Sequence, residues 1–70
     1  MSEIEKVKKQ VKGIDEAMDI TDEAATELAV IPSMFRGMAL KAIASKAQEL
    51  GKTTIDKEVV DLVNKERAGG

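Results

Sequence analysis

Seventy residues, 43% of them hydrophobic and 34% charged, are enough for one domain with one modest core, worth roughly 3–5 kcal/mol net. The chain has no cysteine and no histidine, which excludes disulfides, zinc thiolates and a proton shuttle working near neutrality. The formal net charge is −2, the start Met1-Ser2-Glu3-Ile4-Glu5 is too charged for a signal peptide, and no apolar run approaches a membrane span, so a cytoplasmic protein is expected.

The pattern along the chain predicts an all-α fold, a small bundle of about four helices around a long central one. Ser2-Glu3-Ile4-Glu5 is a capping box, in which the Ser2 hydroxyl and the Glu5 carboxylate can each satisfy a free backbone N–H. Ile4, Val7, Val11, Ile14 and Met18 then recur at alternating threes and fours, so a helix over 2–18 is expected. Lys8, Lys9 and Lys12 before Gly13 look like a helix C-terminus, which places a break or kink near Gly13. This stripe favours packing onto the rest of the domain, because an exposed one would invite aggregation.

A short second helix should follow Thr21, a good N-cap with Asp22 and Glu23 in the first turn, and end before Pro32. The third and longest helix runs from about Ser33 to Leu50 and is stopped by Gly51. Phe35, Met38, Ala39, Ala42, Ile43, Ala47 and Leu50 form its main stripe, widened by Met34, Leu40 and Ala44. Phe35, the only aromatic residue, is expected at the heart of the core. Asp56 caps a last helix whose Val59, Val60, Leu62 and Val63 face inward, spaced otherwise than a half-buried strand requires. Residues 68–70 read as a frayed tail.

No catalytic constellation emerges, and neither a metal nor a cofactor is expected. Gly51-Lys52-Thr53 resembles the end of a phosphate-binding loop, but Lys46 stands where the earlier glycine belongs and a helix precedes it. The acids from Asp15 to Glu27 miss the calcium-loop pattern at Ala17 and Ile20. Ser33 and Ser45 have no histidine to activate them. Gly69-Gly70 reads as a chain end, and four methionines at helical spacing read as core more readily than as a ligand cleft.

From Ile20 to about Glu66 the residues carry a recognisable order. Ile20-Thr21-Asp22-Glu23-Ala24 is followed by Leu28, then Ile31-Pro32-Ser33-Met34-Phe35-Arg36. Ala47-Gln48-Glu49-Leu50-Gly51 and Ile55-Asp56-Lys57-Glu58-Val59-Val60 complete the run. In this order the chain resembles the C-terminal domain family of the light-independent protochlorophyllide reductase B subunit. Ile20, Asp22, Ser33-Met34 and Asp56 stand where that family usually has other residues. The resemblance implies a small helical domain that docks on a larger protein subunit, with Thr21, Glu23, Ile31, Pro32, Phe35, Gly51 and Asp56 as its structural motif. The reductase's catalytic body has no counterpart here, so no enzymatic activity is implied. On this reading residues 1–19 are an N-terminal helical extension, 20–67 the domain and 68–70 the tail.

Two functions follow. One is a non-catalytic accessory module that binds a larger protein, with Met34 and Arg36 as candidate partner-binding residues. Arg36 follows the expected core residue Phe35 and sits in the first turn of its helix, where the macrodipole disfavours a cation. That calls for either a partner or an ion pair, with Glu23 or Glu27 as its acid. The other function is a histone-like or nucleic-acid-binding module. Residues 1–30 hold four lysines against eight acids, whereas residues 31–70 hold seven basic residues against five acids. Against it stand the negative net charge, the short central helix and the lack of aromatic platforms for bases.

Overall fold

The computed structural model describes residues 2–69. Four helices, α1 (Glu3–Ile14), α2 (Asp22–Ala29), α3 (Ser33–Glu49) and α4 (Lys57–Gly69), make up most of them, joined by a minimal pair of strands, β1 (Asp19–Ile20) and β2 (Thr54–Ile55).

The helix starts follow their caps. Ser2 accepts from the Glu5 N–H, Thr21 from the Ala24 N–H and Asp56 from the Val59 N–H. Helix α3 starts at Pro32, which has no side-chain cap, and it ends on a full C-terminal motif. Gly51 adopts φ 74°, its N–H donates to the Gln48 carbonyl, and the Lys52 N–H donates to that of Ala47. The left-handed position explains why glycine stands there.

The first helix is shorter than its apolar stripe suggests. Asp15 is extended at φ −152° and ψ 111°, and its carboxylate accepts from the Ala17 N–H while its carbonyl accepts from that of Met18. This side-chain turn competes with helix and wins at Asp15, just beyond Gly13. Met18 is still buried, but it reaches the core from the loop, and Ile14 is partly exposed.

The strand pair was not visible as a pattern. Asp19 pairs with Thr54 and Ile20 with Ile55, in parallel, with α2 and α3 as the crossover. The Asp19 N–H donates to the Thr53 carbonyl, and the Thr21 N–H to that of Ile55. Each strand ends one residue before an N-cap, so Ile20 precedes Thr21 as Ile55 precedes Asp56. Both isoleucines are buried, in the staple position relative to the buried Ala25 and Val60. The pair thus launches α2 and α4 side by side.

Residues 1–19 and 20–67 share one core. Helix α1 packs on α2 and α3, and α4 packs on α2 and α3. Val7 and Val11 of α1 join Leu28, Leu40, Ile43, Ile55 and Val59, all fully buried or nearly so. The boundary between 19 and 20 falls inside β1. At the other end α4 continues through Ala68 to Gly69, where a tail was expected, and Gly70 lies outside the described residues.

Helix α3 turns a different face inward from the one its stripe suggested. Arg36, Ala39, Leu40, Ile43, Ala44 and Ala47 are buried, whereas Phe35 is 59% exposed and Met38, Ala42 and Leu50 also face out. At 100° per residue, Met34, Phe35 and Met38 point away from the direction shared by Leu40, Ile43 and Ala47. Phe35 is therefore not the centre of the core. With apolar residues around most of the helix, periodicity alone could not choose its phase.

Candidate functional site

The α2–α3 corner carries the chemistry that sets this phase. Helix α2 ends at Ala29 with Val30 in a helical conformation and no glycine cap; the Leu28 carbonyl accepts from the Ile31 N–H, but those that follow need donors from elsewhere. Arg36 supplies them. Its Nε donates to the Leu28 carbonyl at 3.1 Å, and Nη2 to those of Ala29 at 3.1 Å and Ile31 at 2.8 Å. Toward α1, Nη1 donates to Gln10 Oε1 at 3.2 Å and Nη2 to Glu3 Oε2 at 3.1 Å. The residue is only 2% exposed.

This corrects the reading of Arg36 as an outward, partner-facing residue. It has the expected ion pair, but with Glu3 of α1 and not with Glu23 or Glu27. The electrostatics also invert. A cation sits poorly at the N-terminus of its own helix, but this guanidinium lies on the C-terminus of α2, where the dipole favours it.

With Arg36 turned inward, its apolar neighbours are turned outward. Val30 and Met34 are each 82% exposed, Met38 is 77% exposed, and Phe35 lies among them. Phe35 and Met38 line a shallow depression of about 260 Å³ with Ile31, Ala39 and Arg67 of α4. A wider one of about 540 Å³ runs from Val30 and Ile31 past Glu27 to Val60 and Asn64. The four large side chains show on the order of 500 Å² of surface, the upper end of what a monomer leaves open. Met34 was a candidate from the sequence; Val30, Phe35, Met38 and Arg67 were not. For Phe35 and Met38 the signal was the apolar width of α3, which had been read as the mark of a central helix; Val30 and Arg67, on α2's end and α4, had none.

Other polar groups are engaged in structure. Lys8, Lys9 and Lys12 line a groove of about 440 Å³ with Met18, Asp19 and Ile20, but Lys8 pairs with Asp22, and Lys12 with Asp19 at 2.7 Å. Lys46 bridges Glu49 and Glu66, and Lys52 meets Asp56 at 3.0 Å. Glu23 is exposed, and one oxygen of Glu27, Oε2, is buried without a donor. Among the described residues no three acids gather as metal ligands, and no helix is long and apolar enough to cross a membrane.

Two carboxylates tie helix ends to pH. The Lys52 ammonium, and after it the Val59 N–H, hold Asp56 below the usual carboxylate range; Lys6, and after it Arg36, do so for Glu3. A carboxylate whose pKa is lower in the folded state stabilises fully above its unfolded pKa and loses that contribution as pH falls through the folded one. Asp56→Ala should therefore cost about 1 kcal/mol at pH 7, the usual worth of an N-cap. Asp56→Asn should keep most of the cap at pH 7 and flatten the acid limb of a melting-temperature profile. An acid limb as steep as the parent's in Asp56→Asn would rule out this role.

Comparison with known proteins finds no matching family model and no similar curated protein or solved structure.

Proposed function

We propose that this chain is a non-catalytic accessory module that acts by protein–protein contact, related to the C-terminal domain of the light-independent protochlorophyllide reductase B subunit. Its docking surface is the apolar face formed by Val30, Met34, Phe35 and Met38. The observation that carries this reading is the exposure of Met34, Phe35 and Met38 on one side of α3, with Val30 exposed just before it, on a domain whose core is already complete without them. Faces of this kind, rimmed by polar residues, are characteristic of protein interaction sites. The resemblance adds a larger protein as the natural partner. Nucleic acid draws less support, because the net charge is −2 and Lys46 and Lys52 of the basic half are engaged with acids.

The test is affinity capture with quantitative mass spectrometry, comparing the parent chain with Met34→Glu and with Glu16→Lys, an exposed change in the α1–β1 loop. Met34→Glu should leave the melting temperature nearly unchanged, since the residue is exposed. It should deplete the specific partner about tenfold or more, as expected when a charge is forced into an apolar interface. Glu16→Lys should retain that partner. Equal recovery by Met34→Glu and the parent would remove this face from the reading.

A further inference from the structure

We propose that in the isolated protein this face is closed by a second copy of the chain, the two α3 helices lying antiparallel across Met38. The proposal rests on reading the face as a protein-docking surface and names its occupant; a larger partner would exchange for that copy.

The first argument is the character of α3. A helix with large apolar side chains on opposite sides has more than one face to cover, and the monomer covers only the side bearing Leu40 and Ile43. The second is size. A stable interface covers about 800 Å² per partner; the apolar patch of on the order of 500 Å² is the larger part of that, and exposed Lys41, Ala42 and Ser45 lie beside it on α3. A domain of 70 residues also belongs to the class that often gains stability by oligomerising.

The third argument is self-complementarity, which a two-fold interface requires because each surface must fit itself. With the axis at Met38, residues equally far before and after it face one another. Ala42, four residues on, then meets Met34, four residues back, so a small side chain receives a large one. Lys41 meets Phe35 three residues back, which places an ammonium without an acid partner on an aromatic ring. Ser45 meets Ile31. No acid or unpaired base other than Lys41 occurs on the exposed side of α3 from Met34 to Gln48. The margin carries both signs, unpaired Arg67 beside Phe35 and the partly buried Glu27 beside Val30, so a second copy meets no single-signed rim.

Sedimentation equilibrium of the full chain decides the matter. The mass should rise from 7.5 kDa toward twice that value between micromolar and near-millimolar concentration. Met38→Glu, which places two charges on the axis, should weaken pairing by at least about 100-fold with an unchanged far-ultraviolet spectrum. Because the chain has no cysteine, Met38→Cys should give a disulfide-linked dimer on mild oxidation, and Glu16→Cys should not. A 7.5 kDa mass at every concentration, or a dimer that survives Met38→Glu, overturns self-pairing. Neither result bears on capture of a larger partner, which the Met34→Glu comparison decides separately.

Discussion

Arg36→Ala is expected to cost about 3–5 kcal/mol, comparable to the whole net stability of a domain this small, and to leave the chain largely unfolded at 25 °C. Two backbone carbonyls, of Ala29 and Ile31, lose their donor together, and each group left unsatisfied costs about 1 kcal/mol or more, whereas the Leu28 carbonyl keeps the Ile31 N–H. The buried stem adds lost packing against the α2–α3 corner. The pairing with Glu3 contributes little to this total, because Glu3 is half exposed and solvent screens it. Glu3→Gln should therefore be nearly silent, where a simple salt-bridge role would make it as damaging as Arg36→Ala. Arg36→Lys is the sharper control. A single ammonium keeps the charge but cannot reproduce a planar fork directed at α2 and α1 at once, so it should restore less than half of the loss. Urea unfolding of the three variants measures all of this. An Arg36→Ala domain within about 1 kcal/mol of the parent would mean that water satisfies those carbonyls unaided.

The parts of this fold legible in the sequence are those fixed by short-range chemistry. Ser2, Thr21 and Asp56 cap the helices they were expected to cap, and Gly51 ends α3 in a left-handed turn, because each acts on backbone groups within three residues. What could not be read was decided by partners distant in the chain. Each strand of the pair has two residues, too few for alternation to register, and their partners lie 35 positions apart. The acid that meets Arg36 is 33 residues away, so the neighbouring acids Glu23 and Glu27 looked better placed than Glu3. Asp15 ended α1 by a local side-chain turn that the longer apolar stripe concealed. At the candidate site, Met34 was named as a candidate partner residue, while Phe35 and Met38 were assigned to the core stripe of α3. Burial of a cation was the unforeseen event, and it moved the whole apolar set to the outside.

That inversion makes the second large prediction a comparison between two residues of one helix. Leu40→Ala should cost about 2–5 kcal/mol, because Leu40 is fully buried and its removal leaves a cavity among Val7, Leu28 and Ile43 in the shared core. Phe35→Ala should cost less than about 1 kcal/mol when measured in the Met38→Glu background, where the chains are kept apart, since an exposed side chain has little burial to lose. If the stripe through Phe35 and Met38 faced the core, the order would reverse, with the aromatic truncation the more damaging at about 3–5 kcal/mol. Phe35 and Leu40 point about 140° apart around α3, so no small adjustment of the helix buries both. Chemical denaturation of the two variants therefore reads the rotation of α3 directly. Equal losses at Leu40 and Phe35 would contradict this packing, and with it the outward face on which both docking and self-pairing depend.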